Sequence, residues 1–440
     1  MSSVFKRITN VPALGALAFV NFRWLVTAAL ISSIARQGET VLFGWLTLEL
    51  TGSPFKTGVV VALRSAGYVL SPIAGIVADR YDRRKVMQLV LTSSATYTLA
   101  LAILITTGNL QYWHLMIIST IGSLGNAFDN PIRKTLAADL VPPRMLSSAY
   151  AMTVLATDSM AIIGPSAAGL MIGAVGAVGV VWVNLAVYVS NIGSFAMMKV
   201  PPLRTDARKA TPWSNLVDGV KHTWSNQAVL GLIIISIIAN ALPMSARGSL
   251  FPVFAKQVYN MGPSGLGFLV SAAGIGGLTG STSAVFFGTT RHKAKISIAT
   301  CLLMGVVLIL FAWSPFYALA LLIAGMLGFC SSVFLTLSNA LLLQLAPQNM
   351  RGRVMGVRGM VLLANLPGAL FAGALASAFG ARGAGVVIGI TCLIATTATA
   401  MLIPAMARSD KKVMQVEEEG ETPVASPAPA DPVLQGSANP

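Results

Sequence analysis

Charge is what this sequence has least of. Of its 440 residues only 10% are charged, whereas 55% are hydrophobic, and the mean hydropathy is +0.74. An average soluble domain carries about 25% charged residues, which it needs to cover its surface. The scarcity of charge therefore excludes a soluble enzyme and a disordered protein, and it indicates a polytopic α-helical membrane protein.

Cysteine and histidine are also scarce, with three of each. Cys301, Cys330 and Cys392 all lie in apolar runs without metal-ligand or redox spacing, which excludes a disulfide framework. The histidines form no cluster with carboxylates at metal-ligand spacing, and no glycine loop of the Walker type occurs. We therefore expect no metal, no cofactor, no use of ATP and no enzymatic activity.

The length predicts how many times the chain crosses the membrane. About 22 residues precede the first apolar run, about 27 form a polar break at mid-chain, and about 33 form a polar tail. The remainder accommodates about twelve spans of roughly 30 residues each, connections included. The prediction is an all-α membrane protein with twelve transmembrane helices in two six-helix bundles. Its parts are an N-terminal cytoplasmic or interfacial segment (1–22), an N-terminal bundle (23–200), a cytoplasmic central loop (201–227), a C-terminal bundle (228–407) and a disordered cytoplasmic tail (408–440).

The net charge of +15 is distributed in a pattern that gives the orientation. Of the 30 Lys and Arg residues, 20 fall in alternate connections and the termini, whereas Lys56, Lys256 and Arg382 occupy the other connections. Basic residues collect on the cytoplasmic side of a membrane. The pattern predicts a multi-pass protein of the bacterial inner membrane with both termini in the cytoplasm. It also argues against a nucleic-acid partner, because a basic surface for nucleic acid would not skip every other loop.

The two halves of the sequence resemble each other. The segment GSPFKTG (52–58) recurs loosely as MGPSGLG (261–267) at an offset of 209 residues, and the segment 136–152 resembles 341–355 at an offset near 205. Two related six-span halves are typical of secondary transporters, in which the substrate site lies between the halves and the halves rock around it. The repeat therefore predicts a transporter.

One connection carries the most specific local motif. It lies between the second and third spans and reads GIVADRYDRRK from Gly75 to Lys85. The run resembles the signature loop of the major facilitator superfamily, in which a glycine precedes Asp-Arg by four residues and a basic cluster follows. Asp82 stands where the family pattern commonly has glycine. The resemblance implies a secondary transporter in which this loop belongs to the gating machinery.

The chemistry of this loop suits a latch. Gly75 permits close helix approach, and Asp79 at a helix end can face the positive N-terminus of another helix. Arg83 can pair with Asp139 at the inner end of the fourth span. Such pairs would latch the halves while the path faces outward, whereas plain cytoplasmic anchoring of basic residues is the alternative. The predicted gating loop and latch comprise Gly75, Asp79, Arg80, Arg83, Arg84, Asp139, Asp129 and Arg133.

A second motif lies in the fifth span. The segment GPSAAG, from Gly164 through Pro165 to Gly169, resembles the Gly-Pro-x-x-Gly-Gly motif of proton-antiporting exporters in the same superfamily, although Ala168 replaces one glycine. Glycine and proline within a span bend a helix and permit close packing. A packing kink alone explains the segment about as well as an exporter motif does.

A wider resemblance narrows the family. Three segments are similar to the branch that contains enterobactin exporters and macrolide-efflux proteins, namely 22–25 (FRWL), 131–150 and 344–356. This resemblance implies proton-coupled efflux of a small amphipathic or anionic compound, such as a siderophore or a drug-like molecule, by a protein that we expect to be a monomer. The arginine-bearing motif that drug antiporters carry in the fourth span is absent, since 119–128 contains no arginine.

Charges that remain inside the spans are the candidate functional residues, because a charge at the bilayer centre costs roughly 2.5–3.5 kcal/mol on insertion scales. We predict Glu39 and Asp158 as proton-coupling residues, since burial favours the neutral, protonated form of a carboxylate. We predict that Arg36, Arg64 and Arg247 line the path of a substrate with anionic groups. The alternative is that these charges pair with each other as static bridges.

Spacing along the helices suggests two such pairs. Arg36 and Glu39 are three residues apart on one face of the first span, so a static bridge between them is the simplest alternative to a functional role. Asp129 and Arg133 are four residues apart in the inner part of the fourth span, where we expect a local pair in the gating region.

Other functions remain open at this point. A lysophospholipid flippase or a solute uptake permease of the same fold would share the features above. A non-transporting membrane receptor or assembly factor is an alternative of a different class. The expected partners of a transporter are a small-molecule substrate, protons and the lipid bilayer.

Overall fold

The computed structural model describes residues 15–70, 73–74, 77, 80–198, 212–288, 292–347 and 350–404. This part of the chain is almost entirely helical, as the composition predicted. The α-helices are α1 (Val20–Thr51), α2 (Pro54–Ala66), α3 (Arg83–Thr106), α4 (Tyr112–Asp139), α5 (Leu146–Met197), α6 (Pro212–Ser225), α7 (Gln227–Ala239), α8 (Ser245–Val253), α9 (Pro263–Gly288), α10 (Lys293–Trp313), α11 (Tyr317–Leu345), α12 (Arg351–Met360) and α13 (Asn365–Leu402).

Shorter turns complete these rods. The 3-10 turns are Gly15–Ala18, Gly67–Leu70, Pro143–Met145 and Val361–Ala364, and the π-helical turns are Asn240–Met244 and Phe254–Val258. The first π-helical turn joins α7 to α8 and the second extends α8, so that the four segments form one continuous rod, and the last 3-10 turn joins α12 to α13.

Several of these rods are long and apolar enough to cross a bilayer. Within the described residues, six segments meet that condition: Arg83–Thr106, Ser159–Met197, Gln227–Val258, Lys293–Trp313, Tyr317–Leu345 and Arg351–Leu402. The fold class predicted from the sequence, a polytopic α-helical membrane protein, is confirmed. The exact number of twelve spans stays a prediction.

Two of the longest segments are each broken by a single glycine. Gly176 interrupts α5 at φ 74° and ψ 174°, and Gly380 interrupts α13 at φ 71° and ψ 170°. This backbone conformation is open to glycine and strained for residues with a Cβ. The two glycines lie 204 positions apart, so the same break recurs at the offset of the sequence repeat, between the fifth and sixth predicted spans of each half.

Polar side chains cap the N-termini of α2 and α3. Ser53 caps α2, with its hydroxyl accepting from the amide of Lys56 at 3.4 Å, and Pro54 follows in the first turn, where its missing N–H costs nothing. Asp82 caps α3 by accepting from the amide of Arg84 at 2.9 Å. Asp82 stands where the family pattern commonly has glycine, and its carboxylate serves there as the N-cap of α3.

The central loop contains a helix that the sequence analysis did not predict. Helix α6 packs on α12, where a Cβ placed on Gly219 would lie 2.6 Å from the carbonyl oxygen of Arg353. Asp218 and Arg353 form an ion pair at 3.0 Å across the same contact. The side chains of Val217, Val220 and Trp224 are exposed on the other side of the helix. The helix contains no long apolar run, so the hydrophobic pattern of the sequence does not indicate it.

The connections define two ends of the helix bundle. We call the end that carries Gly52, Gly176, Asn260 and Gly380 the distal end, and the opposite end, which carries the arginine-rich start of α3, the basic end. All residues with positive φ in the described chain, which also include Gly108, lie in distal connections. The distal connections are therefore tight turns.

The N-terminal half (α1 to α5) and the C-terminal half (α7 to α13) meet at two glycine crossings near the distal end. At the first crossing, between α2 and α13, a Cβ on Gly58 would lie 2.5 Å from the carbonyl oxygen of Ala369 and 3.0 Å from the Cα atom of Gly373. At the second, between α5 and α9, a Cβ on Gly169 would lie 2.9 Å from the Cα atom of Gly267. The absence of side chains lets the backbones touch.

These crossings are copies of each other. Gly58 and Gly267 are 209 positions apart, and Gly169 and Gly373 are 204 apart. Each glycine of the first crossing therefore corresponds, through the sequence repeat, to a glycine of the second crossing. An approximate twofold relation between the halves has this consequence. The two halves are in contact through equivalent surfaces.

Candidate substrate cavity and buried charge network

Glu39 is the centre of a buried cluster inside the N-terminal half. Its side chain projects from α1 and the residue is only 3% exposed. The hydroxyl groups of Tyr97 and Tyr188 donate hydrogen bonds to its Oε1 atom at 3.1 and 2.7 Å. The guanidinium of Arg64 lies 3.6 Å from its Oε2 atom and 4.9 Å from the ring centre of Phe43. A carboxylate so surrounded has two donors and one compensating charge.

A second cluster lies closer to the basic end and is centred on Asp129 of α4. Its carboxylate forms an ion pair with Arg36 of α1 and another with Arg133 at 2.7 Å. Arg133 also donates to the hydroxyl of Ser32 at 2.9 Å, and the amide of Asn191 donates to the same hydroxyl at 3.0 Å. The cluster joins α1, α4 and the second part of α5, and it holds two cations against one anion.

The pairing of charges differs from the simplest expectation. Arg36 and Glu39 share a face of α1, but they do not pair with each other. Arg36 binds Asp129, whereas Glu39 binds Arg64 and the two tyrosines. Neighbouring helices supply partners that reach the charged atoms in better geometry than an i,i+3 neighbour does. By contrast, the i,i+4 contact between Asp129 and Arg133 is present, as their spacing suggested.

The Asp129 cluster is not fully satisfied. Among its buried polar atoms, Nη1 of Arg133 and Oδ1 of Asn191 have no hydrogen-bond partner. The guanidinium of Arg133 lies 5.7 Å from the ring centre of Phe195, which stabilises the cation further. The excess positive charge makes Asp129 the residue on which the cluster depends.

The predicted latch residues lie at the basic end. Arg83, in the first turn of α3, forms an ion pair with Asp139 at the last turn of α4. Arg84 donates a hydrogen bond to the carbonyl oxygen of Ala196 near the end of α5. Both contacts lie within the N-terminal half, and Arg80 is exposed. Gly75 and Asp79 lie outside the described residues.

A cavity of about 760 Å³ lies between the two halves. Its wall is formed by α1, α5, the α7–α8 rod, α9 and α11, and it reaches from Phe251 toward Tyr150 and Asn339 near the basic ends of α5 and α11. A volume of this size is in the range of drug-sized ligand sites. The distal glycine crossings close the bundle on the other side.

The cavity wall is mostly apolar, with scattered hydroxyl and amide groups and a single charged residue among the described lining residues. Gln37 and Thr40 of α1 face it, but Arg36, Glu39 and Arg64 are not among the described residues that line it. Arg247 of α8 does line it. The structure thus separates the predicted path residues, because it places one of the three arginines in the cavity and turns the other two into the N-terminal half.

The second sequence motif lies where α5 meets both α1 and α9. A Cβ on Gly164 would lie 2.8 Å from the Cβ atom of Gln37, and Gly169 makes the distal crossing described above. Pro165 lies within α5 without ending it, and its carbonyl oxygen would be 2.5 Å from a Cβ on Gly267. The motif residues therefore form a contact surface between the halves.

Comparison with known proteins identifies the family. The chain matches the sequence model of the Major Facilitator Superfamily over residues 25–362 and 289–435. It belongs to that superfamily. This match confirms the resemblance that the 75–85 loop suggested. The chain is therefore a polytopic membrane transporter.

The relatives of this transporter are efflux proteins. It is 26% identical over 369 residues to the multidrug efflux pump Tap of Mycolicibacterium fortuitum, which covers 81% of this chain and 89% of the relative. It is 21% identical over 366 residues to macrolide efflux protein A of Streptococcus pyogenes, covering 80% and 86% of the two chains. The resemblance to the macrolide-efflux branch is therefore confirmed.

Solved structures share the fold. The nucleoside transporter NupG superposes with a TM-score of 0.70 at 13% identity, covering 87% of this chain and 98% of the other. A bacterial homologue of the human lysosomal transporter Spinster, in an inward-facing and unoccupied conformation, superposes with a TM-score of 0.66 at 14% identity, covering 90% and 97%. At these identities the likeness shows the fold alone.

Some residues of the site were missed by sequence reasoning. Tyr97 and Tyr188 lie on the third and sixth predicted spans, and tyrosine carries no formal charge, so the pattern of charges within the spans did not indicate them as partners of Glu39. Ser32 was overlooked because a serine in an apolar helix carries no charge signal. The side chain of Asp158 lies outside the described part of α5, so its predicted role stays a prediction.

Proposed function

We propose that this transporter exports a small amphipathic, drug-like or siderophore-like compound, driven by protons, from the cytoplasm of a bacterial cell. The observation that carries the proposal is the 760 Å³ cavity between two halves whose distal ends are in contact. The efflux activity named for the relatives supports the direction of transport. The basic connections support placing the open end of the cavity in the cytoplasm.

Alternating access is the mechanism that this geometry supports. The distal crossings at Gly58–Gly373 and Gly169–Gly267 close one side of the bundle, while the cavity extends toward the basic end. Rocking of the halves would open these crossings and close the basic end around the substrate. The ion pair of Arg83 with Asp139 and the bond from Arg84 to Ala196 would keep the basic end of the N-terminal half rigid during that motion.

Proton coupling is assigned to Glu39. The carboxylate is buried and held by two tyrosine hydroxyls and by Arg64, so adding a proton to it removes a charge that three groups now compensate. Arg64 lies in the last turn of α2, the helix that makes the Gly58 crossing. Release of Arg64 from a protonated Glu39 would thereby weaken the position of α2 against α13.

Asp158 is proposed as a second proton site. It lies three residues before Ala161, which lines the cavity, on the same face of α5. A carboxylate at that position would sense both the substrate and the proton.

Transport in proteoliposomes tests the proposal. Purified protein is reconstituted into vesicles with an imposed pH gradient, and movement of a fluorescent amphipathic compound is followed with and without an uncoupler. The proposal expects uphill movement that requires the gradient and that is lost in both Glu39→Gln and Asp158→Asn. Transport of equal rate without a gradient would contradict the coupling, and wild-type rates in both variants would contradict the assignment of these residues.

A further inference from the structure

Arg247 differs from three arginines of the N-terminal half. Arg36, Arg64 and Arg133 each face a carboxylate at ion-pair distance. Arg247 lies half-buried on α8, and none of the residues that the structure describes forms an ion pair or a hydrogen bond with it. Its guanidinium therefore keeps its full charge and all of its donors available. Arg358 of α12 also has buried Nε and Nη2 atoms without a hydrogen-bond partner, but among the described residues only Arg247 of these arginines lines the cavity.

The local backbone directs this residue to the cavity. Helix α8 lies between the π-helical turns 240–244 and 254–258, the first of which contains Pro243. A π-helical turn inserts an extra residue and rotates the helix that follows, and such turns often occur at functional sites. The rotation places Arg247, Gly248 and Phe251 on the cavity wall together.

The described wall of the cavity offers Arg247 no compensating charge. Among the described residues that line the cavity, none is Asp or Glu. The polar groups there are amides and hydroxyls, from Gln37, Thr40, Ser332, Thr336 and Asn339. These groups can donate and accept hydrogen bonds, but they carry no negative charge that would balance a half-buried guanidinium.

The same wall also offers apolar surface to an occupant. Phe251 and Leu335 contribute large apolar side chains to it, together with Met244, Leu266 and Val270. An occupant with one planar apolar part and one charged group would use both kinds of surface. The cavity volume admits such a molecule.

We propose that Arg247 recognises an anionic group, so that this cavity prefers amphipathic carboxylates, sulfonates or phosphates over neutral compounds with the same ring system. Arg36, Arg64 and Arg133 are each paired with a carboxylate of the protein. An anionic group of the substrate would play that part for Arg247. A guanidinium binds such oxyanions with two parallel hydrogen bonds, which neither lysine nor an amide reproduces. The inference rests on the proposed function, because it names the substrate class of the same cavity.

A matched pair of probes tests the inference. Dansyl acid (5-dimethylaminonaphthalene-1-sulfonate) and dansyl amide share a fluorescent ring and differ in the charge of the sulfonyl group. Binding to the full-length protein in nanodiscs is measured by the change in probe fluorescence, with empty nanodiscs as the blank. We expect the anionic probe to bind at least about tenfold more tightly than the neutral one.

Substitutions at Arg247 distinguish the effect of its charge from the effect of its guanidinium geometry. Arg247→Gln should weaken dansyl acid binding about tenfold or more and change dansyl amide binding less than about twofold. Arg247→Lys, which keeps the charge, should retain part of the preference. Arg382→Gln is the matched control, since Arg382 is exposed in the distal region, and it should bind both probes like the wild type.

The outcomes are distinct from those for the proposed function. Equal binding of the two probes by the wild type, or an unchanged preference in Arg247→Gln, would overturn the inference even if proton-driven efflux of the neutral probe is present. If the wild type binds the anion selectively but moves neither probe under a pH gradient, the proposed transport fails while the anion site stands. A misfolded Arg247→Gln is recognised by size-exclusion chromatography, and Arg247→Lys then decides.

Discussion

The hydroxyl of Tyr188 donates a 2.7 Å hydrogen bond to the Oε1 atom of Glu39, although 149 positions separate the two residues in the chain. Both groups are buried, and Tyr97 donates to the same oxygen from a third helix. The acid that carries the proposed proton coupling is therefore held inside the N-terminal half, away from the substrate cavity. Coupling between the two would pass through α1, because Glu39 is not among the described residues that line the cavity, whereas its neighbour Thr40 is.

Glu39→Gln should abolish dependence on the pH gradient while preserving exchange. The amide keeps the size of the side chain but cannot cycle a proton, so we expect gradient-driven uptake to fall at least about tenfold. Counterflow of substrate at equal pH should be much less affected. Glu49→Gln is the matched control, since Glu49 lies exposed near the distal end of the same helix. Gradient-driven uptake of wild-type rate in Glu39→Gln would refute the assignment.

Asp129→Asn should destabilise the protein strongly. The change leaves the buried Arg133 and the partly exposed Arg36 without a carboxylate, and loss of one partner of a buried ion pair costs about 3–5 kcal/mol. The free energy of unfolding is measured by SDS titration in mixed micelles. Asp218→Asn provides the comparison, because its pair with Arg353 is more exposed and such pairs contribute about 0–1 kcal/mol. Equal losses in the two variants would show that the Asp129 cluster is not a buried network.

Gly169→Val should prevent closure of the distal end. Its side chain would meet the carbonyl oxygen of Pro263, which lies 2.7 Å from a Cβ at this position, and the backbone of Gly267. Transport should fall more than about tenfold while the protein still folds, because the steric conflict exists in one conformation only. Gly193→Val is the control, since a Cβ on Gly193 has no neighbour within 4 Å among the described atoms.

A disulfide reports directly on the distal crossing. The amide of Ser166 and the hydroxyl of Ser271 are 2.9 Å apart across α5 and α9, so cysteines at these two positions should cross-link in an otherwise wild-type background. Adding Gly169→Val should reduce the yield of the cross-link severalfold, whereas Gly193→Val should leave it unchanged. An unaltered yield with Gly169→Val would show that the crossing tolerates a side chain.

The pair of Arg83 and Asp139 should behave as one unit in transport. Arg83→Gln and Asp139→Asn should each lower the transport rate, and the double variant should lose no more than the stronger single variant. Exchange of the two charges, in Arg83→Asp with Asp139→Arg, should restore part of the rate. Additive losses, or no recovery on exchange, would indicate that the residues act only as separate cytoplasmic anchors. Transport rates are measured in proteoliposomes at equal protein content.

Local spacing accounts for the parts of the structure that could be predicted. The scarcity of charge identified a membrane protein, and the recurrence of 52–58 at 261–267 anticipated the equivalent crossings of Gly58 and Gly267. The contact between Asp129 and Arg133 followed from four-residue spacing on one helix. Such features depend on residues within a few turns of each other, or on a motif repeated along the chain, so the linear sequence contains them.

The partners of the buried charges were decided by tertiary structure. Spacing alone favoured Arg36 with Glu39, but packing brought Asp129 to Arg36 and placed Arg64, Tyr97 and Tyr188 around Glu39. Helical periodicity determines which residues share a face, but not which helix lies opposite that face. A long arginine side chain then pairs with the carboxylate that it reaches in the least polar surroundings.

The sequence by itself determined the class of the protein, its family and the few charges that lie in the membrane. Only the tertiary structure distinguished the arginines from one another, since it turned Arg36 and Arg64 toward carboxylates in the N-terminal half and left Arg247 on the cavity wall. The physical reason is that burying a charge is costly unless a partner compensates it. Whether a partner is present depends on helix packing between residues far apart in the chain, such as Arg36 and Asp129, which 93 positions separate.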